Sequence, residues 1–379
     1  MHICYLTPEY PHTLLKPAAG IGSSLKNLVL GLVANGIQVT IVVYSQQMDR
    51  IFEVDGLEIH SVAHKKYKLG GFFFYRKYLQ NYLNKLIAAH QIDVVEAPDW
   101  TGITAFMKLK VPVVIRMHGS DAYFCHLEGR KQKWKNYFFE SLALKGADYL
   151  VSVSQFTADQ TRKLFQLKKE ITVIHNFINT AFIQPKRLPI IKTQLLYFGT
   201  IIRKKGVLEL AHIFNEVVQQ APEATLLVVG KDVIDIQEKV LTKVLFLNRL
   251  TVEAKERVQI LEHVPYPQMV EMIEQAHVVV LPSLAEAFPM AWLEAMALAK
   301  PMVTSNIGWA QEMVVDGESA SMEHPSNHQS MADKIVHLIN NPAAAENMGK
   351  AADKKLKQDF TALVLIKKNI EFYKQVLKQ

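Results

Sequence analysis

Two glutamates, Glu286 and Glu294, stand in "LAEAFPMAWLEAM" with seven residues between them and Pro289 in the gap. Carboxylates accept hydrogen bonds, so a pair at a helix start can hold the hydroxyls of one ligand while the helix terminus favours an anion. Other groups carry related chemistry. "FGTIIRKKGVLEL" sets Arg203, Lys204 and Lys205 between a strand and a helix, and basic residues at the lip of a cleft suit a diphosphate. Gly20-Ile21-Gly22, followed by Ser23 and Ser24, opens an apolar-periodic helix, where glycine lets the backbone approach a phosphate. His118 ends the strand "VVIRM" beside Gly119, and Asp99 is similarly placed after "IDVVE". A charged middle with hydroxyl-rich rings at each side, as in a nucleoside diphosphate sugar, matches such a set. Each group also has a plainer role: a helix cap, a solvated carboxylate, a solvated basic loop, a structural turn, a histidine bonded to a loop carbonyl. The full dinucleotide fingerprint is absent, because Leu25 takes its third glycine position. These residues alone leave both kinds of role open.

The elements that must position them alternate throughout. "HICYLT", "IQVTIVVYS" (37–45), "VPVVIRMHG" (111–119) and "ADYLVSVS" (147–154) read as buried strands. So do "QLLYFGT" (194–200), "ATLLVVG" (224–230) and "AHVVVLPS" (276–283). Strands of this kind with helical stretches between them imply parallel sheets covered on both faces. The stretch 176–194 has proline, polar residues and no clear period, so it is the expected linker, with the halves joined near residue 185. Ligands in such sheets sit at the carboxyl ends of the strands, and two facing halves form a cleft.

Length and composition agree with two soluble domains: 379 residues, 49% hydrophobic and 21% charged. No apolar run approaches the roughly 18 residues of a spanning helix, and the first buried strand leaves no room for a signal peptide. Cys4 and Cys125 are too few for a disulfide framework. The expected compartment is cytoplasmic. A net charge of +7 favours an anionic partner without choosing among nucleic acid, membrane and phosphorylated substrate.

The longer stretch "PSLAEAFPMAWLEAMALAKPMVTSNIGWAQEMVVDGESA" resembles the donor-site signature of the family-four glycosyltransferases, retaining enzymes of the GT-B fold. The resemblance extends in the right order through "AAGIG", "MHGSD", "IHNFI" and "FGTIIRKKG", and so covers nearly the whole chain. It implies two Rossmann-like doubly wound α/β domains facing a cleft. The expected boundaries are 1–180 for the acceptor side, 190–362 for the donor side, and a terminal helix at 363–379 returning to the first domain. The apolar stripe Leu363, Ile366, Ile370 and Phe372 suits that helix. The resemblance also implies transfer of a sugar, hexosyl-like, from a nucleotide sugar such as a UDP- or GDP-sugar to a glycan or lipid-linked acceptor, as in envelope polysaccharide or glycolipid synthesis.

By the same resemblance, Glu294 would bind the ribose hydroxyls, and Glu286 would lie near the transferred sugar. The backbone of Phe288, Pro289 and Met290 would contact sugar hydroxyls. Lys205 would neutralise the leaving diphosphate, His118 would contact the transferred sugar, and Gly20 and Gly22 would form the loop over the phosphates. Three positions depart from the pattern. Thr200 stands at the usual arginine, for which Arg203 is the expected substitute, and Ala299 and Trp309 stand where glycine is usual. No D-x-D pair occurs, so no metal or other cofactor is expected, and Lys205, Arg203 and the helix terminus are expected to meet the leaving-group charge.

"HKKYKLGGFFFYRKYLQNYLNKL" (64–86) interleaves basic and aromatic residues, and "GRKQKWKNYFF" (129–139) repeats the composition. This pattern suits either an anionic membrane surface or a packed helix with a solvated face. On the membrane reading, Lys65, Lys66, Lys68, Arg76 and Lys77 make a peripheral contact. Two rival functions are a nucleotide-sugar epimerase of the same fold and a basic nucleic-acid-binding protein. The glutamate pair with "AAGIG" argues against the first, and no recognised motif supports the second.

Overall fold

The computed structural model describes residues 1–378; residue 379, the last of the expected terminal helix, lies outside the described residues. The chain forms two units, Met1–Ile178 with the segment from Ala362 onward, and Asn179–Thr361. The passage between them comes at Ile178, ahead of the junction expected near 185. Ser24 donates a buried hydrogen bond to Asn176 at 2.7 Å, and Phe177 and Ile178 are buried, so the first unit retains these residues.

The first unit holds eight strands: β1 (His2–Thr7), β2 (Gln38–Gln46), β3 (Arg50–Val54), β4 (Leu57–Ala63), β5 (Val94–Pro98), β6 (Val113–Met117), β7 (Tyr149–Ser152) and β8 (Ile171–Val173). Their order is β3-β4-β2-β1-β5-β6-β7-β8, parallel except for the edge strand β3. All six residues of β1 are buried, as a central parallel strand requires. Cys4 and Leu6 pack with Leu79 and Leu83 of the helix Gly71–His90. Each of those leucines is wholly buried and contributes roughly 1.5–3 kcal/mol by leaving water. A second apolar core gathers Ile115, Met117, Phe139, Leu144 and Phe165.

The helix Ala362–Val376 belongs to this first unit. Its buried stripe differs from the expected one. Leu363 is 80% exposed, and Leu365, Ile366, Asn369, Phe372, Tyr373 and Val376 face inward. Two polar side chains in the stripe find buried partners, which apolar counting could not register. Ile366 seats against Gly31, where a Cβ would lie only 2.3 Å from Ile366 Cδ1.

Arg76, expected at a membrane surface, is turned inward instead. Its guanidinium donates to the carbonyls of Phe72, Thr101 and Gly102 and lies over the Phe139 ring at 4.6 Å. The turn after β5 and the preceding helical turn supply carbonyl acceptors within its reach.

The second unit holds β9 (Gln194–Phe198), β10 (Thr225–Val229), β11 (Val258–Leu261), β12 (Val278–Leu281), β13 (Met302–Ser305) and β14 (Ser321–Glu323). Their order is β11-β10-β9-β12-β13-β14, all parallel. In each unit the winding direction reverses beside the first strand, between β1 and β5 in one and between β9 and β12 in the other. A crevice beyond the strand ends opens at such a reversal.

Candidate active site

In the second unit the loops after β9 and β12 flank the reversal. After β9 the chain makes one 3-10 turn, Arg203–Lys205, and then reaches Gly206 with φ +70°. A Cβ there would stand 1.8 Å from the Pro282 carbonyl oxygen, so only glycine lets the two loops close on each other. The Leu284 and Ala285 amides both donate to the Lys204 carbonyl, at 2.8 and 3.0 Å. This lacing brings Lys205 Nζ to 3.1 Å from Glu286 Oε1. Ser283 donates to the same carboxylate oxygen at 3.3 Å. Glu286 is 8% exposed, and a charge so far from water needs a partner of this kind.

Glu294 is the fifth residue of the helix Met290–Ala297. Burial pushes its carboxyl up to about 7, against a hydrogen bond from Tyr266 and the Lys205 charge. The structure therefore gathers Lys205, Glu286 and Glu294 at one strand reversal. Pro289, expected in the first helical turn, is the residue just before it, and among the described residues no side chain caps this terminus. Phe288 is buried edge-on to Phe360, with ring centroids 5.4 Å apart, which fixes the backbone leading to Met290. Ala299 carries φ +50°, the left-handed backbone that explains glycine as the usual residue there. Trp309 is wholly buried.

Arg203 is directed elsewhere. It makes a two-point contact with Asp235, at 2.9 and 3.0 Å, and lies 3.8 Å from Glu238. The Arg203 hydrogen bond is the main cause that holds the Asp235 carboxyl down at about 2. To meet a diphosphate, Arg203 would have to leave Asp235; Lys205 is the basic residue placed at the glutamates.

In the first unit, Gly20 and Gly22 begin the helix Gly20–Ala34, whose first turn carries no acidic residue. The Gly22 amide donates to Glu9 Oε1 at 2.8 Å. Sequence reasoning missed Glu9. It lies thirteen residues upstream in "TPEYPH", and only the fold brings it to the helix start. His118 follows β6, and its amide donates to Asp99 Oδ1 at 3.0 Å. Burial, then the nearby Arg116 charge, pushes the imidazole down to about 3, so it is neutral at ordinary pH. Asp99 is wholly buried, and burial pushes its carboxyl up to about 8. A pocket at the β1–β5 reversal is lined by Thr7, Ile21, Leu25, Glu96, Pro98 and His118, among others.

Beneath that pocket lies a buried network that sequence reasoning also missed. Arg116 donates to both Glu96 oxygens, at 2.7 and 3.2 Å, and to Asn369 Oδ1 at 2.9 Å. Tyr373 donates to Glu96 at 2.7 Å and shares a 2.8 Å hydrogen bond with Tyr5. Burial opposes the Arg116 charge, and the Glu96 carboxylate more than offsets it, holding the guanidinium above its ordinary range. The network joins the pocket floor to the terminal helix.

Comparison with known proteins follows the same division. Residues 18–182 match the family model described as Glycosyltransferase Family 4, and residues 180–355 match Glycosyl transferases group 1. A glycogen synthase of Mycobacterium tuberculosis is 29% identical over 290 residues, covering 71% of this chain and 65% of the relative. The chain thus spans just under two thirds of that relative's length. A sucrose-phosphate synthase from Thermosynechococcus elongatus superposes with a TM-score of 0.82 at 17% identity, over 100% of both chains. The Anabaena protein HepE in complex with UDP-glucose gives 0.74 at 18%, over 99% of this chain and 100% of that one. Two parallel-sheet domains of the GT-B fold, each matched by its own family model, make this chain a member of the family-four glycosyltransferases.

Proposed function

We propose that the protein transfers a hexosyl unit from a nucleotide-diphosphate sugar to a glycan or lipid-linked acceptor, with retention at the anomeric carbon. The single observation that carries this reading is the Lys205–Glu286 pair beside Glu294 at the β9–β12 reversal. Lys205 meets the leaving diphosphate together with the terminus of the helix Met290–Ala297, the kind of fixed electrostatic partner that gains most in a site shielded from water. Glu294 accepts the ribose hydroxyls, Glu286 faces the transferred sugar, and the backbone at Phe288, Pro289 and Met290 contacts its hydroxyls. The family resemblance assigns His118 to the transferred sugar, and an imidazole held neutral suits hydrogen bonding there. It assigns Gly20 and Gly22 to the donor phosphates. On this reading the reaction needs no metal and takes place in the cytoplasm. A UDP-sugar is the favoured donor, supported by the UDP-glucose complex of HepE, and envelope polysaccharide or glycolipid synthesis is the favoured setting.

The test is a thermal-shift screen of UDP-, ADP- and GDP-sugars, followed by product analysis with and without acceptor. A bound donor raises the melting temperature by mass action. Nucleoside diphosphate release that depends on acceptor supports transfer. Interconversion of the donor sugar without acceptor would instead make the protein an epimerase. Nucleic-acid binding that falls steeply with salt and no response to any nucleotide sugar would remove the reading.

A further inference from the structure

The first unit brings two separate basic-aromatic segments into one exposed face. Neither 64–86 nor 129–139 contains an aspartate or glutamate. The fold sets the start of the helix Gly71–His90 beside the start of the helix Trp134–Gly146. Phe72 packs on Phe139 with ring centroids 5.1 Å apart, and Lys135 Nζ lies 4.3 Å over the Phe72 ring. Phe106 bridges the two helices, 5.5 Å from Phe73 and 6.4 Å from Phe138. At the tips, Leu69 is 84% and Trp134 78% exposed, and Phe72, Phe74 and Phe138 are each more than a third exposed.

The basic side chains divide by their partners. Lys65 is 2.8 Å from Asp49, Lys77 bonds Gln80 and the Phe106 carbonyl, and Arg76 is buried. Lys66, Lys68, Lys131, Lys133 and Lys135 are exposed around the apolar tips. Neither helix has an acidic residue in its first turn, so both positive helix ends add to the same field.

We infer that this face docks the protein on an anionic lipid bilayer, with Leu69 and Trp134 entering the headgroup layer and the five exposed lysines against the lipid phosphates. An apolar tip ringed by one sign of charge is the pattern of an interfacial contact. A nucleic acid would match the charge, but these rings pack against one another at tilted and edge-on angles rather than standing as separate stacking platforms. The inference goes beyond the transfer reading and does not depend on it.

The experiment is flotation of the full chain, without nucleotide sugar, on vesicles of phosphatidylcholine alone or of equal parts phosphatidylcholine and phosphatidylglycerol. Recovery is expected on the anionic vesicles only and is lost at high salt. Lys66→Gln with Lys68→Gln lowers partitioning by roughly fivefold per charge, and Leu69→Ser with Trp134→Ser lowers it further. Lys354→Gln with Lys367→Gln, also exposed, leaves it unchanged. These side chains are exposed, so unchanged melting temperatures verify that the variants fold. Equal recovery on both vesicles, recovery on neither, an equal effect of the control pair, or displacement from vesicles by added RNA would each overturn the inference.

Discussion

Replacing Arg116 by methionine should damage the first unit more than any single surface change. Glu96 is 3% exposed, and losing Arg116 leaves its carboxylate with the Tyr373 hydroxyl as its remaining side-chain hydrogen bond among those described. Breaking a buried pair by removing one partner costs about 3–5 kcal/mol, because the other charge stays buried. At roughly 2–4 °C per kcal/mol for a unit of this size, Arg116→Met should lower its melting temperature by about 6–20 °C. Replacing both partners removes both charges; Asn369 Oδ1 loses its Arg116 donor, while Tyr373 keeps its hydrogen bond with Tyr5. Arg116→Met with Glu96→Met should therefore cost about 1–3 kcal/mol, less than Arg116→Met alone. Urea unfolding read by tryptophan fluorescence gives the two free energies, and the double-mutant cycle gives their coupling. Amide exchange in the helix Ala362–Val376 should accelerate in the single variant, since Asn369 and Tyr373 lie on that helix. Single-variant costs that sum to the double-variant cost, or an Arg116→Met cost below about 1 kcal/mol, would refute the argument.

Glu294→Ala should weaken nucleotide binding about 10- to 100-fold, the value of a hydrogen bond to a charged group, with a smaller change in turnover. His118→Ala should do the reverse, lowering turnover about 10²- to 10³-fold; steady-state kinetics showing the two effects exchanged would refute both roles. Lys205→Ala should lower turnover by a similar factor, and an unchanged turnover would remove Lys205 from the leaving-group role. Asp99 should give the first unit a pH-dependent stability. Its folded value near 8 exceeds its ordinary 3.8, so the folded state holds the extra proton between them. Its contribution is complete below about pH 4 and is lost as pH rises toward 8. Asp99→Asn should flatten that slope in urea titrations, and an unchanged slope would assign it to other groups.

Much of the architecture was legible because parallel strands are apolar on both faces. Runs such as "HICYLT" and "HVVVLP" read as buried strands, while the strand order and its reversal emerge only in the fold. Lys205 and Glu286 were each legible as residues in loops after strands, but their pairing was not, because it depends on β9 and β12 being neighbours. What escaped was the inward or outward sense of long polar side chains. Arg76 and Lys77 are neighbours of equal charge, yet the first is buried against the Phe139 ring and the second is only partly buried. Asn369 and Tyr373 look solvated in a helical stripe until Arg116, more than two hundred residues earlier, supplies their partner. Glu9 at the Gly22 amide and Asp235 at Arg203 are similar cases: the pairing depends on distant backbone, and composition carries no record of it.

The helix Ala362–Val376 completes the first unit's core but is translated after all of the second unit. While the ribosome makes residues 179–361, the nascent first unit holds Arg116 and Glu96 without Asn369 or Tyr373, and its surface at Gly31 lacks Ile366. Domains usually fold in order of synthesis; here the first to emerge must wait for the second to finish. That interval exposes apolar surface to chaperones and proteases. A premature stop within the second unit therefore destabilises the first as well, although every residue of the first unit's sheet has already been made.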